Sequence, residues 1–275
     1  FRLPLALALL LAPATFICLA GGQNGFITAA LLIGGIRLMR SHPILAGILF
    51  GVLTIKPQLG ILLPFALLAA RQWTVIASAS LTTLALLGTS VLFFGLESWI
   101  AYVDKVVPLQ TLIMNEGSGP FLAMMPSAYI SLRFLGLEQE VRTILQGLML
   151  FMALIGVVWT FARSQDWVLM LAALTVGTFM ASPYAFNYDM TAVSFAIALL
   201  TLRALPSGFL PGERIALAMT WLLPIVVQWM NPLGLPFSPI ILLACFAFVL
   251  LRVRGDIAAT ARAGGVNQEF AALKT

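Results

Sequence analysis

Long runs without a charged side chain are the feature of this sequence that most restricts its fold. Only 9% of the 275 residues are charged and 61% are hydrophobic, whereas a soluble domain has roughly 25% charged and 45–50% apolar residues. The segments Thr74–Leu96 and Ile144–Ala162 contain no charge, and each is long enough to cross a hydrocarbon core of about 30 Å as a helix. The chain is therefore predicted to be an all-α polytopic membrane protein, and the soluble and disordered classes are excluded.

About ten apolar segments can be read along the chain. They are Leu3–Ala20, Phe26–Ile36, Ile44–Ile55, Leu59–Ala70, Thr74–Leu96, Ile144–Ala162, Trp167–Ser182, Met190–Leu202, Ile215–Met230 and Pro239–Leu251. We expect residues 1–254 to form one transmembrane helix bundle, with an amphipathic outer region at 97–142 that lies in the membrane interface. Residues 255–275 are rich in Ala, Gly and polar residues, and they are expected to form a flexible cytoplasmic tail.

Two of these segments, Ile44–Ile55 and Leu59–Ala70, are too short to cross a membrane singly. A helix of their length reaches only about 18 Å, and the tripeptide Lys56–Gln58 separates them. The pair therefore predicts a short broken hairpin over residues 44–70, whose tip lies partway across the membrane. Non-helical backbone at that depth is tolerated only against protein or a water-filled cavity.

The positions of the basic residues predict the orientation of the chain. The net charge is +5 and the isoelectric point is near 9.7. Alternating the ten segments across the membrane places eleven of the fifteen Lys and Arg on one side, and the positive-inside rule assigns that side, with the C-terminus, to the cytoplasm. Lys56, Lys105, Arg133 and Arg142 fall on the outer side. Because no basic stripe is present, the positive charge predicts orientation and no nucleic-acid partner.

Two outer turns carry amide and cationic side chains at membrane depth. Gln23 and Asn24 lie in the first outer turn, where their amides either line a cavity or belong to an ordinary turn. Lys56 and Gln58 flank the proline of the hairpin tip, and Lys56 needs water, an anion or a carboxylate partner there. Two interpretations of Lys56 stay open, namely a contact to phosphate or pyrophosphate and a structural ion pair with Asp189 or another outer carboxylate.

A third polar motif occupies residues 182–189. It brings Tyr184, Asn187, Tyr188 and Asp189 into one short outer loop. Aromatic rings can stack on a sugar while amides and carboxylates bind its hydroxyl groups, although Asp189 could equally cap the helix that follows. No metal cluster, P-loop or dinucleotide fingerprint is visible, so no cofactor is predicted and a divalent cation stays open.

These motifs together resemble glycosyltransferase family 87, a family of polyprenyl-phosphate-mannose-dependent mannosyltransferases in the GT-C superfamily. The resemblance rests on the block Ala46–Gln58 with its Lys-Pro-Gln ending, and it is supported by Gly22-Gln23-Asn24, Ser182-Pro183 and Tyr188-Asp189. It extends over roughly Leu3 to Leu251.

The resemblance implies a GT-C-like helix bundle in the cell membrane, with an active site that opens to the outer face. It implies inverting transfer of a hexose, with mannose expected, from a polyprenyl-phosphate sugar to a glycolipid or glycan acceptor, in contact with membrane lipids. A transporter or flippase for a lipid-linked or anionic substrate is the alternative. By position, the implied roles are Gln23 and Asn24 lining the cavity, Lys56 and Gln58 near the donor phosphate, and Tyr184, Asn187, Tyr188 and Asp189 near the sugar or acceptor.

One departure from the family concerns the catalytic carboxylate. GT-C enzymes carry it in the first outer loop, whereas Gly21–Gly25 contains no Asp or Glu. Either the catalytic segment lies upstream of Phe1, or Asp189 or a carboxylate of region 97–140 replaces it. Inverting transfer needs a base within hydrogen-bond reach of the acceptor hydroxyl, so we expect the N-terminal part to be missing. The catalytic residue is left open, with Asp189 as the candidate within the chain.

Overall fold

The computed structural model describes the backbone of residues 2–272 and the side chains of residues 3–260, and all regular secondary structure in these ranges is helical. The α-helices are α1 (Arg2–Leu10), α2 (Pro13–Ala20), α3 (Gly25–Leu38), α4 (Pro43–Val52), α5 (Leu63–Ala69), α6 (Trp73–Phe94), α7 (Leu96–Ala101), α8 (Val107–Glu116), α9 (Pro120–Ala123), α10 (Ala128–Phe134), α11 (Gln139–Arg163), α12 (Trp167–Ala181), α13 (Thr191–Ser207), α14 (Glu213–Met230) and α15 (Phe237–Ala272). Three 3₁₀ turns and one π-helical turn connect them, at Leu53–Ile55, Pro57–Gly60, Asn187–Met190 and Tyr102–Val106 respectively. The all-α prediction is confirmed.

Three of the described helical stretches are long and apolar enough to cross a membrane. They are α6, α11 and the stretch Asn187–Ser207 that contains α13. Helices α1 and α2 are bent by 51° relative to each other and make a fourth if they count as one span. Helices α3 and α12 and the two arms of the hairpin are apolar but shorter. A membrane helix bundle is supported, while the number of about ten apolar segments stays a prediction.

Helix α12 lies at the centre of the bundle. Every residue from Leu169 to Ala181 is buried, and the helix packs against α11, α13 and α15. A helix that is hydrophobic on all sides is expected in such a position. Its first turn is capped by the Asp166 carboxylate, which accepts hydrogen bonds from the backbone N–H groups of Val168 and Leu169. The helix thus begins at a charged end of the bundle, and the 182–189 loop follows it at the other end.

The broken hairpin predicted for residues 44–70 is present. Helices α4 and α5 form its arms, and 3₁₀ turns on either side of Lys56 form its tip. Gly47 faces Ser78 and Gly51 faces Thr82, so α4 and α6 run in the same direction. Because α6 follows α5 almost directly, α5 must return from the tip to the level at which α4 began. The tip therefore lies partway along α6.

Close packing of α4 on α6 depends on two glycines four residues apart. A Cβ on Gly51 would lie 2.5 Å from the Cβ of Thr82 and 2.9 Å from the carbonyl oxygen of Ala79. A Cβ on Gly47 would lie 2.5 Å from the Cβ of Ser78. Small residues at this spacing allow membrane helices to approach closely.

We expect Gly51→Val to lower the free energy of unfolding by about 1–3 kcal/mol, because overpacking a tight contact costs that much. Gly88→Val is the matched control, since Gly88 lies on α6 and a Cβ added there would have no neighbour within 4 Å. Thermal unfolding of the purified variants in detergent, followed by tryptophan fluorescence, measures the difference. Equal melting temperatures for the wild type and Gly51→Val would contradict the packing described.

Ion pairs gather at one end of the bundle. Arg203 pairs with Asp166 and also with Asp256, the latter at 3.1 Å. Arg252 pairs with Glu213 at 2.5 Å. These contacts join α12, α13, α14 and α15 at the end that the sequence assigns to the cytoplasm. Which side of a membrane this end faces stays a prediction.

The predicted domain boundaries fall inside helices. The outer region 97–142 begins within α7 and ends near the start of α11. The predicted tail 255–275 overlaps the last part of α15, and residues 273–275 lie outside the described residues. Both boundaries stay predictions.

Candidate functional site

Lys56, at the tip of the hairpin, forms an ion pair with Asp189. The Lys56 Nζ lies 2.6 Å from the Asp189 Oδ1, and the two side chains are 15% and 0% exposed. The Nζ also lies 4.9 Å from the ring centroid of Tyr188. The structural ion pair that the sequence left open is thus formed. It ties the hairpin tip to the loop that precedes α13.

The local sequence explains why Lys56 lies between two short 3₁₀ turns. Pro57 disfavours helical backbone at the preceding residue, and Lys56 has φ −132° and ψ 77°. Its N–H donates to the carbonyl of Leu53, and its carbonyl accepts from the N–H of Leu59. Both backbone groups are satisfied without a continuous helix, which the predicted position of the tip within the membrane would require. Gln58, in the second turn, has a half-buried side chain.

The first outer turn packs directly on the loop that carries Asp189. A Cβ on Gly25 would lie 2.2 Å from the carbonyl oxygen of Tyr188 and 3.1 Å from the Sγ of Cys18. The Thr191 hydroxyl donates to the Gly25 carbonyl at 2.7 Å. Glycine is therefore required at this position for the backbones to touch, and it fixes the loop beside Lys56.

The polar residues predicted for the site occupy different environments. Gln23 and Asn24 are exposed, and the Gln23 Nε2 donates to the carbonyl of Gly21 at 3.2 Å. Asn187 is fully buried, and its Nδ2 donates to the carbonyl of Pro224 at 2.7 Å. The turn places two amides at the surface, whereas Asn187 fastens the loop to α14.

Three aromatic rings form a ladder along the loop. The ring of Tyr184 meets that of Phe186 edge-on at 5.3 Å, and Phe186 stacks on Tyr188 at 5.0 Å with an interplanar angle of 7°. Burial raises the pKa of Tyr184 above its ordinary value, so its phenol stays neutral and can donate a hydrogen bond. The ladder packs against apolar residues of the outer region, among them Leu122, Met125 and Ile130.

Sequence analysis missed two buried amides that hold the outer region on the bundle. The Gln146 side chain accepts from the N–H of Tyr129 and donates to the carbonyl of Met180. The Asn231 Oδ1 accepts from the Ser131 hydroxyl at 2.9 Å, and its Nδ2 donates to two carbonyls of the same region. The sequence did contain a signal for both residues, because each is a single amide within or beside an apolar helix. Such a group is buried only when it is hydrogen-bonded, so its position predicts a buried polar contact.

A groove runs along α6 beside the hairpin. Its inner part measures about 460 Å³ and its outer part about 510 Å³, and the two share Thr54 and Pro57. The inner part is lined by apolar residues that include Phe50, Leu53, Leu63, Pro64, Leu67 and Ile76. The outer part is lined by Thr54, Ile55, Pro57, Ser90, Phe94, Ser98, Trp99 and Tyr102. The groove exists because the hairpin stops short, and only 6% of the apolar window of α6 is buried in the described structure.

The chemistry of the site is that of an ammonium beside a carboxylate at the edge of an apolar groove. Within the described part of the chain, no three His, Cys, Asp or Glu side chains come together in a way that could hold a metal ion. Lys56 is partly exposed, and its neighbours Ile55 and Pro57 both line the groove. The arrangement suits a molecule with a long apolar part and an anionic group at one end.

Most of the chain matches a family of known proteins. The model of a family described as Glycosyltransferase family 87 matches residues 1–183. The match includes the first outer turn, the hairpin and the outer region, and it ends before the Tyr184–Asp189 part of the loop. No curated protein and no solved structure matches the chain significantly.

Proposed function

Because the chain belongs to glycosyltransferase family 87, we propose that it transfers a hexose, mannose in our assignment, from a polyprenyl-phosphate sugar to a glycolipid or glycan acceptor. The family makes it a membrane glycosyltransferase, which needs a sugar donor and an acceptor. We further propose that the site opens at the outer face of the cell membrane and that the C-terminus is cytoplasmic. The observation that carries the choice of a lipid-linked donor is the groove along α6, whose lining includes Ile55 and Pro57, the two chain neighbours of Lys56.

The apolar wall of the groove supports a polyprenyl chain as its occupant. The inner part, lined largely by aliphatic and aromatic side chains, lies along α6, of whose apolar window only 6% is buried in the described structure. Lipid tails are as apolar as such side chains, so burying a chain there adds little hydrophobic free energy. The groove therefore orients the donor. The affinity of the protein for the donor must come from contacts with the donor's polar end.

Lys56 is the group that would meet the donor phosphate. One oxygen of Asp189 holds its Nζ at 2.6 Å, and an ammonium has three N–H donors. The remaining donors can bind phosphate through charge-assisted hydrogen bonds. Asp189 has a fully buried side chain, so we assign it a positioning role toward Lys56. Gln58 lies on the same tip and supplies an amide.

The proposed reaction places developing negative charge beside Lys56. The acceptor hydroxyl oxygen bonds to the anomeric carbon with inversion, the bond from that carbon to the phosphate oxygen breaks, and the hydroxyl proton passes to a base. Polyprenyl phosphate leaves with one more negative charge, which an ammonium fixed beside it stabilises. In this proposal the rings of Tyr184 and Tyr188 stack against the sugar. Gln23 and Asn24 border the entrance to the sugar-binding site.

Filling the groove tests the lipid-linked donor. Ser80 lines the inner part and is exposed, so Ser80→Trp should raise KM about tenfold for a long-chain polyprenyl-phosphate-mannose, because the indole occupies the space of the chain. A donor with a short, water-soluble chain should keep its KM. The measurement is incorporation of labelled sugar into membrane glycolipid.

Leu81→Trp is the matched control, since Leu81 is 70% exposed and does not line the groove. Equal KM values for Ser80→Trp and Leu81→Trp with the long-chain donor would contradict the groove assignment. Movement of labelled lipid across proteoliposomes without sugar transfer would support the flippase instead.

A further inference from the structure

A second groove opens between α1, α13 and α14. It measures about 340 Å³, and its wall is almost wholly apolar, with Pro4 and Ala8 on α1, Ile197 on α13 and Trp221 on α14 among the lining residues. The groove follows from the 51° bend between α1 and α2, because α2 packs against α14 whereas α1 packs against α13. It shares no lining residue with the groove along α6.

The helices that flank this groove carry exposed apolar side chains. Leu3 and Leu7 on α1 and Ile215 and Leu222 on α14 are all exposed, and Ala218, in the wall of the groove, is exposed as well. Contiguous apolar surface of this kind marks a site of contact with membrane or protein. We expect lipid tails to cover it in this chain, whose long apolar helices belong in a membrane.

One cation, Arg214, lines the groove at the start of α14. Its side chain is exposed, and its guanidinium carbon lies 4.7 Å from the ring centroid of Phe209, which also lines the groove. A guanidinium has five N–H donors in a fork that matches the oxygens of a phosphate. The hydroxyl of Thr201, on the same wall, is used within the chain, since it donates to the carbonyl of Ile197 at 2.8 Å. The groove thus combines an apolar wall with one guanidinium.

The carboxylate next to Arg214 in the chain is already occupied. Glu213 accepts hydrogen bonds from Arg252 on both of its oxygens, at 2.8 and 2.5 Å, and one oxygen also accepts from the N–H of Leu210. None of the ion pairs among the described residues includes Arg214. The charge of Arg214 is therefore available to an anionic ligand.

Arg214 and the Lys56–Asp189 pair lie near opposite ends of α13. Asp189 immediately precedes this helix and Arg214 follows its end, and a helix of 17 residues is roughly 25 Å long. The end with Arg214 is the one that the sequence assigns to the cytoplasm. The cytoplasmic leaflet of a membrane carries anionic lipids, and basic pockets between membrane helices on that side bind their headgroups.

We propose that the groove between α1, α13 and α14 binds one phospholipid with an anionic headgroup. An acyl chain lies against the apolar wall, and Arg214 binds the headgroup phosphate through charge-assisted hydrogen bonds. Because an acyl chain gains little free energy on leaving other lipid tails, the preference of the groove among lipids depends on headgroup charge. The site goes beyond the proposed transfer, since it shares no residue with the Lys56–Asp189 pair and its lipid is not consumed.

Native mass spectrometry of the purified full chain in neutral detergent tests the proposal. With phosphatidylglycerol or phosphatidylcholine added, the wild type should bind one phosphatidylglycerol with an apparent Kd at least about tenfold below that for phosphatidylcholine. We expect Arg214→Gln to remove this preference and Arg214→Lys, which keeps the charge, to retain most of it. Arg254→Gln is the matched control, because Arg254 is exposed on α15 and does not line the groove.

A second pair of variants tests whether the lipid occupies the groove. Ala218 is an exposed lining residue, so Ala218→Trp places an indole in the space of the acyl chain without entering the core. It should raise the apparent Kd for phosphatidylglycerol at least about tenfold. Met219→Trp is the matched control, since Met219 is exposed on the same helix and does not line the groove.

Equal affinity of the wild type for the two lipids, or an unchanged preference in Arg214→Gln, would overturn the proposal. So would lipid binding at the wild-type level in Ala218→Trp. A dimer of the chain that Ala218→Trp dissociates, in place of bound lipid, would assign the groove to a second copy and overturn it too. None of these readouts requires sugar transfer, so an absence of transferase activity would contradict the proposed function and leave this inference standing.

Discussion

Lys56→Met should abolish sugar transfer and lower the free energy of unfolding by about 3–5 kcal/mol, because breaking a buried ion pair leaves an uncompensated charge. The charge left behind is that of Asp189, whose side chain is fully buried. Transfer should be lost because the proposed phosphate contact is removed. The measurements are thermal unfolding in detergent and incorporation of labelled sugar.

The double variant Lys56→Met/Asp189→Leu separates the two effects. It removes both charges, so most of the lost stability should return, since a buried pair can often be replaced by apolar groups. Transfer should stay absent. Lys105→Met removes an exposed outer cation and should leave both quantities unchanged. A double variant that transfers sugar at the wild-type rate would show that Lys56 has only a structural role.

Gly25→Ala should lower the rate of sugar transfer at least about tenfold and destabilise the chain by about 1–3 kcal/mol, as overpacking does. Its methyl group would lie 2.2 Å from the carbonyl oxygen of Tyr188. The loop must shift to accept it, and Asp189 is the next residue. The ammonium held by Asp189 would then lose its position.

Gly147→Ala provides the comparison for this change. Gly147 lies on α11, and a Cβ placed there would have no atom within 4 Å. The same methyl group should therefore be accommodated with activity near that of the wild type. Equal activities for Gly25→Ala and Gly147→Ala would mean that contact between the first outer turn and the loop does not matter for transfer.

The helical class and the hairpin could be predicted from local sequence, and so could the need of Lys56 for a partner. Scarce charge and long apolar segments require helices in a membrane, and two half-length segments around Lys56 predict a broken hairpin. The amides were harder to assign. Asn187 and Asn24 look alike in a polar turn, yet one is buried against Pro224 and the other is exposed. Burial depends on which distant helix packs beside a loop, and spacing along the chain carries no information about that.

The environment of Arg142 could not be predicted from the sequence either. In the sequence it is one of four outer cations, and the positive-inside count treats them as equivalent. In the structure it stacks on Tyr129 with two buried nitrogens unpaired, while Lys105 is exposed. Only the packing of α10 on α11 separates these cases.

By itself, the sequence determined that this chain forms apolar helices, that its hairpin cannot cross the membrane, and that Lys56 needs a partner. These conclusions follow from length and from the cost of burying polar groups, which are local properties. The tertiary structure decided that the partner within the chain is Asp189, 133 residues away, and that a groove lined by Ile55 and Pro57 opens along α6. Long-range pairing depends on how the helices pack together, because a carboxylate anywhere at the same level of the bundle would satisfy a lysine equally well.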